Sequence, residues 1–125
     1  MKTVNLCNLA AAIAAAALLA PGAALADAAA GKTTFVTNCA SCHGEGGKGD
    51  GPVGAALTPP PRDFTKGEFK FDTDKDGKTG TDADLKNVIQ KGGGAFGGSV
   101  LMAPWPTLSD TDITNVIAYI RSLKK

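Results

Sequence analysis

The chain has 125 residues, 13 basic and 12 acidic side chains, a net charge of +1 and a pI near 7.7. Near neutrality argues against a nucleic-acid partner, which calls for a basic patch, and the length sets an upper bound of one small domain. One Trp, one Tyr and five Phe allow only a modest core, and domains of this size need a staple.

The first quarter of the chain reads as a leader. Lys2 opens a positive segment, Leu9 to Leu19 is an Ala/Leu/Ile run, and Ala24-Leu25-Ala26 is a small-x-small cleavage site, so residues 1–26 are expected to be a cleaved secretory signal peptide. The apolar run is about 11 residues, short of the ~20 needed to span hydrocarbon. An uncleaved anchor is the weaker reading, and no membrane span is expected in the mature chain, residues 27–125. Cys7 leaves with the leader, and without Lys2 the charges balance at 12 of each sign.

Ala28 to Asn38 reads as a helix, with Ala-rich propensity at its start, Phe35 and Val36 as its apolar side chains, and Gly31 open to a close crossing. It runs into Cys39-Ala40-Ser41-Cys42-His43. Two thiols at this spacing reach two vinyl groups on one porphyrin edge, and the histidine that follows turns under the iron; the pentapeptide is read as the attachment site of one haem c. Zinc needs four Cys or His ligands, and His43 is the only histidine while Cys7 is the only further cysteine. A thioredoxin-like pair would need a βαβ context, and Gly/Pro-rich sequence follows instead. With both mature cysteines used, no disulfide remains.

The segments 44–54, 58–61, 72–80 and 92–98 are turn formers, and no stretch alternates well enough for a confident strand. Thr81-Asp82-Ala83-Asp84 caps a helix carrying Leu85, Val88 and Ile89 that Gly92-Gly93-Gly94 ends. Ser109 to Asp112 is a capping box before a final helix, roughly 110–123, with Ile113, Val116, Ile117, Ile120 and Leu123 on one face. Tyr119 on it is the expected partner of Gly31 and Phe35. The fold class is therefore mostly α, three to five helices with long loops wrapped around one covalently bound haem.

Asp72-Thr73-Asp74-Lys75-Asp76-Gly77 matches the first half of a calcium loop, but position 12 is Ala83 where a bidentate glutamate belongs. The segment reads as an acidic, hydrated turn favouring the helix after Thr81, and a calcium-responsive module is the lesser alternative. Met102, the only methionine besides the initiator, lies between a Gly-rich turn and Pro104, 59 residues after His43. Its thioether is the candidate sixth ligand, on a loop that Pro104 and Pro106 stiffen.

The order of these elements, from C-A-S-C-H through L-M-A-P-W to L-S-D-x-x-I-x-x-V-x-A-Y-I-R-S-L, resembles a class I c-type cytochrome of the bacterial periplasm over nearly all of the mature chain. The resemblance implies thioethers from Cys39 and Cys42, His43 as proximal and Met102 as distal ligand, and first and last helices crossing near Gly31 and Tyr119. It further implies a proline carbonyl accepting the second His43 ring N–H, with Pro52 as the candidate and Pro59 to Pro61 as competitors. Trp105 resembles the family's indole near a haem propionate, and Arg62 is a weaker propionate candidate. The function implied is a monomeric periplasmic electron carrier, not an enzyme, that meets redox donor and acceptor proteins at the haem edge. Alternatives are the electron-accepting haem subunit of a larger dehydrogenase, or a ligand-binding sensor or enzyme if Met102 leaves the iron open; the lack of a second histidine weakens a peroxidase reading.

Overall fold

A computed structural model of the protein describes residues 25–125. The leader reading and Cys7 fall on residues 1–24, outside the described residues. Among the described residues four α-helices, α1 (Ala28–Asn38), α2 (Ala40–His43), α3 (Asp82–Lys91) and α4 (Asp110–Ser122), are joined by loops that hold three short 3-10 turns. Among the described residues there is no strand.

The crossing of α1 over α4 builds the core. Helix α1 begins where the Asp27 carboxylate accepts the N–H groups of Ala29 and Ala30 at 2.9 and 3.0 Å, and the Asp27 N–H donates to Asn115 Oδ1 at 2.8 Å. One turn on, Gly31 lies directly on the backbone of α4. A Cβ there would overlap the Asn115 carbonyl and stand 2.9 Å from Val116 N. The close approach predicted from Gly31 is present, but it is made to the Asn115–Val116 backbone; Tyr119 instead meets Phe35, edge to face at 5.1 Å. Phe35, Ile113 and Val116 are essentially sealed from water, with Phe64, Ile117, Tyr119 and Ile120 around them. The Tyr119 hydroxyl, at the rim, donates to the Glu45 carbonyl at 3.1 Å.

Both later helices start with capping boxes. Ser109 and Asp112 exchange bonds at the head of α4, and Thr81 and Asp84 do the same for α3. Asp84 does more than cap. It is 1 % exposed, and its two oxygens accept from Thr73 N and Oγ1 at 2.6 and 2.7 Å and from Thr81 N and Oγ1 at 2.9 and 2.8 Å. The acidic segment is therefore folded onto α3 by a buried carboxylate. Its other members serve their own backbone: Asp72 accepts from Asp76 N and Gly77 N, and Asp74 from Asp76 N. Arg121 closes the same corner, donating to Gly80 O at 2.6 Å and Asp82 Oδ1 at 2.9 Å while its guanidinium lies 4.9 Å from the centre of the Phe69 ring.

The donors around Asp84, first the Thr73 N–H, hold its carboxyl well below the usual carboxylate range. Because the folded value lies below the unfolded one of about 4, its stabilisation is complete above that pH and is lost as pH falls through the folded value. The thermal midpoint is expected to drop below about pH 4. Asp84→Asn should start lower at neutral pH, where an amide NH2 faces N–H donors, and should flatten that acid limb. Calorimetry across the acid range checks both; an unchanged limb in the variant would place the acid sensitivity elsewhere.

Candidate haem site

Cys39 ends α1, its N–H donating to Phe35 O at 2.7 Å, and its carbonyl opens α2 by accepting from His43 N at 2.9 Å. The one-turn helix α2 is stopped by Gly44 at φ +78°. The loop from Gly51 to Gly54 wraps tightly over it. Gly51 N–H donates to Cys42 O, Val53 N–H donates to Ser41 O, and a Cβ on Gly54 would overlap Cys42 O. Only glycine lets that loop close over the turn.

His43 is fixed on two sides. Its ring stacks on Phe64 with centroids 4.6 Å apart and planes 19° off parallel, and Phe35 lies at 6.4 Å. Its Nδ1 faces the Arg62 carbonyl at 3.3 Å. A carbonyl only accepts, so Nδ1 carries the proton and Nε2 keeps its lone pair. Burial, partly offset by the Arg62 carbonyl, pushes the imidazole below its ordinary range, so it is neutral at pH 7. That is the state in which an imidazole binds iron.

The acceptor is thus Arg62 and not Pro52, the sequence-based candidate. The bonds of Gly51 and Val53 back to α2 hold exposed Pro52 on the outer side of the turn, while the chain returns along Pro59 to Pro61 and brings the next carbonyl under the ring. Phe64 is a second member of the site that the sequence does not announce. It lies on an Asp63-capped 3-10 turn without apolar periodicity, anchored by its N–H to Gly47 O at 2.7 Å.

Cys39 and Cys42 are half-buried free thiols. Burial, and Cys42 beside it second, push the Cys39 thiol up to about 11. It is protonated at neutral pH. Two half-buried free thiols and one neutral imidazole with a free Nε2 fit a covalently attached haem.

Met102 is half-buried in the loop after α3, its carbonyl accepting from Gly93 N at 2.9 Å. Trp105, also half-buried, packs against the core and donates its backbone N–H to Ile89 O at 2.8 Å. Arg62 contributes its carbonyl, and the ion pairs among the described residues are Lys86–Asp110 and Arg121–Asp82.

Residues 28–124 match the family model for cytochrome c. The chain belongs to the cytochrome c family. It is 40 % identical over 103 residues to cytochrome c-554(547) of Halothiobacillus neapolitanus, covering 78 % of this chain and 98 % of that one. To cytochrome c6 of a Picosynechococcus species it is 35 % identical, covering 76 % and 72 %. A segment spanning 26 % of the FixP subunit of the cbb3-type cytochrome c oxidase of Azorhizobium caulinodans is 32 % identical over 74 % of this chain. Among solved structures, a chain of the reducing HAO-like protein complex of Kuenenia stuttgartiensis superposes with a TM-score of 0.64 at 35 % identity; 76 % of the cytochrome aligns with 41 % of that chain. As a family member the cytochrome carries covalently bound haem c and transfers electrons through it, and Cys39 and Cys42 lie in its attachment motif. The mostly helical class expected from the sequence is the one observed.

Proposed function

We propose that this cytochrome is exported through a cleaved leader, residues 1–26, and works in the periplasm as a monomeric one-electron carrier between redox proteins. Cys39 and Cys42 form the thioethers, His43 is the proximal ligand through Nε2, Met102 is the distal ligand, and Trp105 borders the haem edge. The observation that carries this reading is the His43 ring, locked by the Arg62 carbonyl and the Phe64 face with its lone pair free.

Haem supplies the one-electron couple. The chain's own part is to keep its ligands still while the charge changes: the Arg62 carbonyl fixes the tautomer and raises the basicity of Nε2, and Phe64 keeps water from that bond. His/Met ligation in an apolar setting favours the reduced state. Among the described residues no helix is long and apolar enough to cross a membrane.

The test is the absorption spectrum of the exported haem protein. The oxidised form is expected to show the weak sulfur-to-iron charge-transfer band near the red end, and carbon monoxide should leave the reduced spectrum unchanged. Met102→Ala should abolish the band and admit carbon monoxide. A wild-type protein without the band would instead leave the iron open and favour a sensor or enzyme. The likeness to segments of an oxidase subunit and of a larger complex supports a second reading, a haem subunit of an assembly. Sedimentation of the protein from its native extract decides between them, since a carrier runs at its monomer mass.

A further inference from the structure

The segment from Gly67 to Gly80 supplies none of the proposed haem ligands, yet it is tied firmly to α3. Asp84 holds Thr73 through both its N–H and its hydroxyl, Asn87 Nδ2 donates to Thr73 Oγ1 at 2.9 Å, and the Phe71 carbonyl accepts from Gly80 N at 2.9 Å. Phe71 is thus pinned from its own carbonyl and from two residues downstream.

Its half-buried ring is delivered to the glycine-rich segment before Met102. A Cβ on Gly98 would stand 2.7 Å from Phe71 Cζ and 3.1 Å from Gly93 O. Gly98 N–H donates to Gly93 O at 2.9 Å, and Gly93 N–H donates to Met102 O at 2.9 Å. A Cβ on Gly93 would stand 3.1 Å from Met102 Cβ. The contacts therefore run without a gap from the Phe71 ring through Gly98 and Gly93 to Met102. The other side of this segment has little support, with Val100 82 % and Leu101 59 % exposed.

We propose that Phe71, presented by the Asp84–Thr73 clamp, is a positioning residue that braces the Gly93–Gly98 turn and so holds the Met102 loop in its ligating arrangement. The inference rests on Met102 being the distal ligand. Glycines give this loop many alternative conformations, and without a brace the thioether's bond to iron alone would have to offset the entropy of ordering them. Removing the brace raises the population in which the thioether is away, and the apparent affinity for an external ligand rises with that population.

The test compares the full haem protein with Phe71→Ala, Phe71→Leu, Gly98→Ala and the Phe71→Ala/Gly98→Ala double variant. Phe71→Ala is expected to keep its haem, to weaken the far-red band, and to bind carbon monoxide in the ferrous state with an apparent affinity about tenfold or more above the limit detectable for wild type. Phe71→Leu, which refills most of the space, should stay within about twofold of wild type. Gly98→Ala forces the same contact apart from the other side, and in the double variant the two effects should combine to less than their product. If the wild type itself lacks the band and binds carbon monoxide, Met102 ligation fails and the brace fails with it. If the wild type has the band and Phe71→Ala matches it in band and carbon monoxide affinity, Met102 ligation stands and the brace is overturned. A lowered thermal midpoint with both readouts unchanged also overturns it, since that is the mark of packing alone.

Discussion

Replacing Gly31 with alanine is expected to cost about 3 kcal/mol or more of stability, the upper end of overpacking effects. The propensity argument alone has the opposite sign, because alanine in place of a helical glycine gains roughly 1 kcal/mol. The crossing decides between them. The added methyl would overlap the carbonyl carbon and oxygen of Asn115, and both are backbone atoms that no rotamer change can move. To admit it, α1 must lift off α4, which loosens Phe35 from Ile113 and Val116 throughout the core. Urea unfolding of the haem protein checks this: the midpoint should fall with little change in slope, and a midpoint at or above wild type would mean that the helices do not cross at Gly31.

Phe64→Ala is expected to cost about 3–5 kcal/mol, the range for deleting a buried aromatic side chain. Stability alone would not set it apart from Phe35→Ala, which removes a ring of equal size from an even drier place. The potential would. Phe64 stacks on His43 at 4.6 Å and 19°, whereas Phe35 lies tilted at 6.4 Å. Losing Phe64 lets water approach the Nδ1–H bond to Arg62 and favours the oxidised charge, so the midpoint potential should fall by on the order of tens of millivolts. Phe35→Ala should leave it much closer to wild type. Spectroelectrochemistry of the two variants, at a temperature where both are folded, makes the comparison; equal potentials would remove Phe64 from the ligand's support.

The contrast between these two rings also marks how far the fold and site are legible in the sequence. Helices α1, α3 and α4 announce themselves through Ala-rich propensity, capping boxes at Thr81 and Ser109, and the apolar face from Ile113 to Ile120; observed and expected limits agree within about a residue. Gly31 is legible because a glycine within a helix needs a reason. Phe64 is not, since a single aromatic in a Pro/Asp/Gly-rich loop has no period. Arg62 is illegible for a deeper cause: the group that meets His43 is a main-chain carbonyl, which every residue has, so nothing but the path of the chain selects it over Pro52. Asp84 reads as a helix cap and as one acid among several near a half-formed calcium motif. Its burial depends on Thr73, eleven residues earlier, turning two donors toward it, and neither composition nor spacing encodes that turn. The family resemblance implies roles for His43 and Met102, and it carries no information on Phe71.

The packing of α1 against α4 has a consequence for how the molecule is assembled. The two helices that together shield Phe35 are the first and last of the described elements, separated by the whole of the intervening chain. A polypeptide emerging from its amino end exposes the Cys39–His43 turn well before Ile113 to Ile120 exist to close over α1. Until then the thiols and the imidazole stand on a length of chain with no core behind it, open to whatever machinery handles them. Packing α4 on α1 joins the two ends of the described chain, a closure whose entropy cost grows slowly with the length between them. The pentapeptide is thus most open before α4 packs, whereas in the folded chain both of its thiols are half-buried.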